Sequence, residues 1–466
     1  MRKETQSLPL TPFERYMVED QKPEYPMSNA AYFVFRGVLN RPLFQQAYQK
    51  SMEAEPMFAT RLTSGKKGKY WQFSPENRPD LHFTASDADL TQQTDGILPL
   101  PTFDLTKEPG IRVEVTEGRN STAILITGHH ALFDGVGILQ WMGRLLTWYE
   151  KEVASESSFS PSVPDATQIA HRENLHITLP VPLKWHQLLR AYLTEGGKWL
   201  FRRPIPIGSL FPRENSLSEK LPPAQIWWKS SGEWFPAYAQ AAKEQHISVN
   251  TLFLRDLFLA LQQWENRCSA YPDYRPRGKW HRVLIPCNLR NEHHQNLPMA
   301  NVLGYIFLDL PRGKISREPF LLKKIQSHIQ FAMEWSSGAM FLEGLRFFGR
   351  LPQLTRYLCS PRFCHCSTVL SNLGRCVRLA REEHFQKKGN LFGGGLELVT
   401  FVGAPPVRPQ TPVTVGILTV EKELIFSLCV DRQKFSPLEI SLFRECYEKE
   451  IQKTIQFSRK AKNDTP

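Results

Sequence analysis

The sequence predicts a two-lobed α/β protein, and three observations carry that expectation. Its 466 residues exceed what one ordinary hydrophobic core encloses. Strand-like and helix-like periods alternate near the N-terminus and again after residue 225. Between these regions, residues 154–168, ASESSFSPSVPDATQ, concentrate Ser and Pro as a linker does. The expected organisation is an N-terminal lobe over 1–168, a linker and crossover over 169–224, and a C-terminal lobe over 225–457. A tail over 458–466 reads as frayed.

The elements follow in order. Residues 30–39, AAYFVFRGVL, read as a strand, and 43–54, LFQQAYQKSMEA, as a helix with Leu43, Ala47, Tyr48 and Met52 on one face. The runs IRVEVTEG (111–118) and STAILITG (121–128) meet at the turn-rich Gly118-Arg119-Asn120 and predict a hairpin. From Gly137, Ile138, Met142, Leu145, Tyr149 and Val153 recur at helical spacing. Segment 183–203 joins Trp185, Leu188, Leu189 and Tyr192 to Lys184, Arg190, Lys198, Arg202 and Arg203. It reads as a crossover helix packed on the protein with its basic residues in water, and a helix lying on a membrane surface is the alternative. Residues 342–362 repeat that basic and aromatic character.

In the second half, Ser248 opens a strongly apolar helix to about Trp264, which should be buried. RVLIPCNL (282–289) and VLGYIFLDL (302–310) read as strands. TPVTVGILTV and LIFSLCVD, joined by Glu421-Lys422-Glu423, read as a hairpin. Ser436-Pro437-Leu438-Glu439 has the order of a capping box with Pro at the first helical position, and opens the last helix.

Composition narrows the function classes. With 41% hydrophobic and 22% charged residues the chain is globular, which excludes disorder over its whole length. The formal charge of +12 suits nucleic acid, an anionic membrane surface, or an anionic substrate or carrier. The sequence holds no run of five basic residues and no nucleic-acid motif of fixed spacing, so no nucleic-acid partner is expected. The opening MRKETQSLPLTPFERYM lacks the apolar stretch of a secretory signal, and nothing approaches a membrane span. A cytoplasmic chain is expected, with peripheral membrane contact as the alternative. All eight cysteines lie in the second half without a C-x-x-C pair, as free thiols would. Cys364-His365-Cys366 has no second ligand pair to close a tetrahedral site, so no metal is expected.

The chemistry concentrates at His129-His130-Ala131-Leu132-Phe133-Asp134-Gly135, an HHxxxDG pattern set between an apolar strand and a helix. Adjacent side chains on an extended segment face opposite ways, so His129 and His130 would not converge on one ion. With no G-x-S-x-G elbow, a hydrolase triad is not supported either. A neutral imidazole at an exposed strand end can take a proton from an attacking hydroxyl or amine and return it to a departing thiolate. His129 reads as a buried residue bonded to backbone, and Gly135 as room for a substrate near the main chain. His293-His294 has no DG behind it and reads as a solvated loop.

HHALFDG resembles the active-site signature of the condensation-domain superfamily, which shares the chloramphenicol acetyltransferase-like fold and includes wax ester synthases and polyketide-associated acyltransferases. LTPFERYM (10–17), FDLTKEPGIRVEV (103–115), IPCNLR (285–290) with Asn301 and Gly304, and TVLSNLG (368–374) are similar to further family segments in the same order. The resemblance implies two lobes of mixed sheets flanked by helices, with a tunnel between them. It implies His130 as general base or positioner of the nucleophile. It implies Asp134 as a structural partner of an arginine, with Arg290 the first candidate and Arg15 the second. Ser371 and Asn372 are candidates to line the tunnel or donate to a developing oxyanion, or to form a strand-end turn with Gly374. Glu55-Pro56-Met57 stands where family members often read Arg-His-Pro, and the DFGWG segment of the plant branch is absent.

The resemblance implies a stand-alone acyltransferase with no bound cofactor. Its co-substrate would be acyl-coenzyme A or a phosphopantetheine thioester, so an acyl carrier protein is an alternative donor, and its acceptor an alcohol or amine. A non-catalytic module that recruits a carrier protein, and hydrolysis of the thioester by water, are the rival readings.

Overall fold

The computed structural model describes residues 7–66, 68–154, 160–173, 189, 193, 197–198, 201–211, 221–272, 274–276, 278–316, 319–380 and 382–463. β1 (Ser7–Pro9) leads into α1 (Pro12–Asp20), which opens on a capping box: Thr11 Oγ1 accepts from the Glu14 amide at 3.2 Å, and Glu14 Oε2 accepts from the Thr11 amide at 2.9 Å. β2 (Ser28–Arg36) ends at Gly37, whose φ of +111° favours a residue without Cβ, and α2 (Arg41–Met52) follows with Asn40 as N-cap. Next come β3 (Thr60–Gly65), β4 (Gly68–Phe73), β5 (Leu81–Ala85) and β6 (Asp95–Pro99). The hairpin of β7 (Ile111–Gly118) and β8 (Ser121–His129) then delivers the chain to α3 (Gly135–Val153).

The second half supplies β9 (Ala224–Lys229), α4 (Trp234–Glu244), α5 (Val249–Ser269), β10 (Trp280–Asn288) and β11 (Leu303–Pro311). Three helices follow, α6 (Pro319–Glu334), α7 (Ser337–Phe348) and α8 (Pro352–Leu358). β12 (Thr368–Arg375), β13 (Phe392–Gly393), β14 (Leu396–Gly403), the hairpin β15 (Val413–Val420) and β16 (Glu423–Val430), and α9 (Pro437–Asn463) complete it.

These strands form a six-stranded sheet, β13-β14-β2-β8-β7-β5, a seven-stranded sheet, β11-β10-β12-β15-β16-β9-β6, and a small sheet, β1-β4-β3. The large sheets are mixed: β12 runs parallel to β10 and β15, and β5 to β7, while the other pairs are antiparallel. The sheets do not follow the two halves of the chain strictly. β14, from the second half, pairs with β2, and β6, from the first, pairs with β9.

Two cores back the sheets. Trp141 of α3 packs 4.7 Å from Phe58 and 6.1 Å from Tyr48 between ring centroids. In the other lobe Trp264 of α5 lies 5.6 Å from Phe443 of α9, and its indole N–H donates to the Gly208 carbonyl at 2.8 Å. Burying each such ring contributes roughly 1.5–3 kcal/mol before the entropy of ordering it.

Three sequence expectations need correction or placement. α9 continues to Asn463, into the 458–466 stretch read as a frayed tail, whose residues 457–463 hold no Gly or Pro; 464–466 lie outside the described residues. The His293-His294 pair is not a solvated loop throughout. Asn291 caps a helical turn over Glu292–His294, and His294 is buried. Most of segment 183–203 lies outside the described residues. Among the described residues no helix is long and apolar enough to cross a membrane.

Candidate active site

The β8-to-α3 junction sits where the two large sheets meet. Backbone bonds hold it: the His129 amide donates to Gly110 O at 2.7 Å and the His130 amide to Met27 O at 2.6 Å. From the other half, Asn301 Nδ2 donates to the His130 carbonyl at 2.6 Å. The alternation of the extended segment then separates the two imidazoles. His130 lines a cavity of about 180 Å³ between the sheets, while His129 lines a different cavity beside Gln21, Phe103 and Leu105.

Burial favours the neutral form of both histidines, and different bonds set their tautomers. His129 Nδ1 accepts from the Ala131 amide at 3.1 Å, and burial followed by the neighbouring His130 pushes its pKa down to about 3. His130 Nδ1 lies 3.0 Å from the Phe133 carbonyl, an acceptor only, so Nδ1 carries the proton and Nε2 keeps its lone pair. Burial lowers the His130 pKa below the ordinary histidine value, against the opposing pull of the Phe133 carbonyl and the Asp134 carboxylate. Asn29 Nδ2 is 3.4 Å from the same Nδ1. Turning that amide over would give its oxygen, otherwise buried without a partner, a place as second acceptor.

Asp134, which also borders this cavity, ties the lobes together. Its Oδ1 caps α3 through the Gly137 amide at 2.7 Å, and its Oδ2 accepts from the Val302 amide at 2.8 Å. Arg290 Nη1 and Nη2 donate to Oδ2 at 2.8 Å and Oδ1 at 3.0 Å, both side chains being nearly inaccessible. Burial alone would raise the carboxyl's pKa; Arg290 and the two amides outweigh it and hold it below the usual range. Arg15 is exposed on α1, apart from this pair.

The remaining sequence candidates divide. Ser371 and Asn372 of β12 both line the central cavity. The Asn372 side chain is committed locally, accepting from the Gly374 amide at 2.9 Å and donating to Asn250 Oδ1 at 3.4 Å. Gly135 touches the cavity, yet a Cβ there would lie 2.7 Å from a Leu373 methyl, so its smallness also serves the packing of α3 on β12. Among the described residues no group of three or more His, Cys, Asp or Glu could hold a metal ion. His365 instead bonds the Leu358 carbonyl at 2.8 Å.

Three contributors were missed by sequence reasoning. Asn29 stands beside Gly128 in register and lies 101 residues from His130 along the chain, so only the sheet pairing brings it to the site. Gly137 must lack a side chain because a Cβ would meet Ala300 O at 2.8 Å. The buried Glu55 pairs with Arg144 and accepts from the Met299 amide at 2.5 Å, closing the same inter-lobe seam. Its signal was the Glu55-Pro56-Met57 that stands where family members often read Arg-His-Pro.

Two further cavities approach the site from the α1 side. Arg15, Arg346 and Arg350, with Glu173, line one of about 240 Å³. The adjoining one shares Arg346 and Glu173 with it, and shares Leu303 with the central cavity.

A two-lobed α/β molecule built on mixed sheets is the fold of condensation domains. Residues 4–174 match the condensation-domain family model, and the chain as a whole has the condensation-domain fold. Over 187 residues it is 25% identical to nonribosomal peptide synthetase Ao415 of Arthrobotrys oligospora, covering 37% of this chain but 5% of that far longer protein. The first condensation domain of the calcium-dependent antibiotic synthetase, solved with substrate analogue 3a, superposes with a TM-score of 0.70 at 11% identity, covering 97% of this chain and 96% of that one. The starter condensation domain of rhizomide synthetase RzmA, solved in a mutant form with C8-CoA, gives 0.67 at 12% identity, covering 97% and 95%.

Proposed function

We propose that this protein transfers an acyl group from a thioester to an alcohol or amine, with His130 as general base. The observation that carries the reading is the His130 tautomer. Nδ1 is occupied by the Phe133 carbonyl, burial favours the uncharged ring, and the free Nε2 lone pair belongs to a side chain lining the cavity between the lobes.

In that scheme the acceptor's O–H or N–H gives its proton to His130 Nε2 as its heteroatom attacks the thioester carbonyl. The tetrahedral intermediate collapses with loss of the sulfur, which leaves as thiol after the proton returns from Nε2. Ser371, which lines the cavity, is the candidate donor to the carbonyl oxygen as charge develops on it. Asp134 and Arg290, paired with each other, position the junction.

The C8-CoA bound by the rhizomide synthetase domain supports a thioester donor. The cationic cavity at Arg15, Arg346 and Arg350 suits the phosphates at the far end of coenzyme A or of a phosphopantetheine arm. We assign the donor to this class, on coenzyme A or on a carrier protein.

The test is thiol release from a panel of acyl-coenzyme A and acyl-phosphopantetheine thioesters, with and without pooled alcohols and amines, beside His130→Ala. Acceptor-dependent release that disappears in the variant is the expected result. Release indifferent to acceptor would make the protein a thioesterase. Silence on every thioester, with retained carrier-protein binding, would make it a recruitment module.

A further inference from the structure

Sixteen large apolar side chains stand exposed among the described residues, and eight of them fall within 189–201 and 320–357. Phe201 is 83% exposed, Phe320 72%, Met333 71%, and Phe347 and Tyr357 59% each. The helices that carry Phe320, Met333, Phe347 and Tyr357 adjoin one another. α6 packs on α7 and α7 on α8, while Lys198 Nζ reaches His328 of α6 at 2.9 Å and brings the Phe201 segment alongside.

The same surface is cationic. Residues 319–362 hold Lys323, Lys324, Arg346, Arg350, Arg356 and Arg362 against Glu334 and Glu343, six positive charges to two negative. Arg346 is neutralised by Glu343 at 2.6 Å and Glu173 at 3.8 Å. Lys323, Lys324, Arg356 and Arg362 have no acidic partner among the described residues. Burial of charge by folding does not explain them, and neither does pairing.

We propose that the α6–α8 face docks on an anionic phospholipid surface, a property separate from the acyl-transfer reading. Unpaired cations attract acidic headgroups, and the exposed Phe347, Leu351 and Tyr357 supply apolar surface for the headgroup and acyl boundary. A bilayer fits better than an acidic protein because the apolar side chains are spread singly over several helices. A fluid surface yields to each of them, whereas a protein would need a matched pocket for every one. The face adjoins the arginine-lined cavity, since Arg346 and Arg350 belong to both. A docked molecule would therefore present that opening to the membrane.

Co-sedimentation of the full chain with vesicles tests this, comparing pure phosphatidylcholine with a mixture holding about one-third phosphatidylglycerol. At low salt, partitioning onto the anionic vesicles should exceed that onto the neutral ones by at least about tenfold, and should fall steeply as salt rises. Phe347→Ser/Tyr357→Ser and Lys324→Glu/Arg356→Glu should each weaken it severalfold while leaving the thermal midpoint unchanged, since all four side chains are exposed. No preference for anionic vesicles overturns the proposal. So does binding that both variants leave intact, or binding that only the charge variant weakens, which is adsorption without insertion. Capture of an acidic protein in place of vesicles overturns it as well.

Discussion

Asp134 and Arg290 lie 156 residues apart in the chain and meet through two parallel hydrogen bonds of 2.8 and 3.0 Å at the seam between the lobes. The carboxylate simultaneously caps α3 and receives the Val302 amide, so one side chain fixes the helix that follows the histidines and the loop that faces them. Asp134→Asn and Arg290→Gln should each destabilise the fold by about 3–5 kcal/mol, because each strands a buried charge. Denaturant titration of both single variants and the double variant checks this: the double should cost clearly less than the sum of the singles. Additive losses would mean that the two side chains do not act as a pair.

His130→Ala should behave in the opposite way. The expected loss is about 10²- to 10⁴-fold in turnover, with the thermal midpoint nearly unchanged, because the ring spends one backbone bond and opens onto a cavity.

The pH profile follows from the burial of that ring. A general base works uncharged, and His130 is held below the ordinary value of about 6.5. The rate should therefore rise with pH along an acid limb whose midpoint lies below 6.5, and stay level through neutrality. An acid limb centred above 6.5 would remove His130 from the role of base.

Stability should fall on acidification, with His129 a principal cause. Its pKa is lowered in the folded state, so the unfolded chain binds the proton more readily. The stabilisation is fully present above about pH 6.5 and is lost as pH drops toward 3, at up to about 1.4 kcal/mol per unit for this one group. Denaturant midpoints between pH 7 and 4 measure it, and His129→Asn should flatten the slope.

Two glycines of the junction should differ in tolerance. A Cβ at 137 meets the Ala300 carbonyl, which is backbone and fixed, whereas a Cβ at 135 meets a Leu373 methyl that can rotate away. Gly137→Ala should cost about 1–3 kcal/mol, and Gly135→Ala should be nearly neutral in stability while narrowing the cavity.

Much of this site was readable from the chain because its central part is local. A strand, seven residues and a helix place His130, and the alternation of an extended segment sends His129 the other way. Asp134 caps its own helix within three residues. What was not readable depends on sheet pairing and lobe docking. Asn29 reaches His130 only through the β2–β8 register, and Glu55 reaches Met299 across 244 residues. Asn372 was equally plausible as an oxyanion donor or a turn former, and the Gly374 amide supports the second. The hairpins and the capped last helix were legible for a complementary reason: turn residues and caps act over four residues or fewer.

The exchange of β6 and β14 between the sheets bears on how the molecule comes apart. Cleaving the chain in the stretch that joins its halves would leave each fragment with a raw sheet edge where the other's strand had been. Neither half is a self-sufficient folding unit, so the protein should melt in one cooperative transition, and fragments expressed separately should aggregate unless produced together.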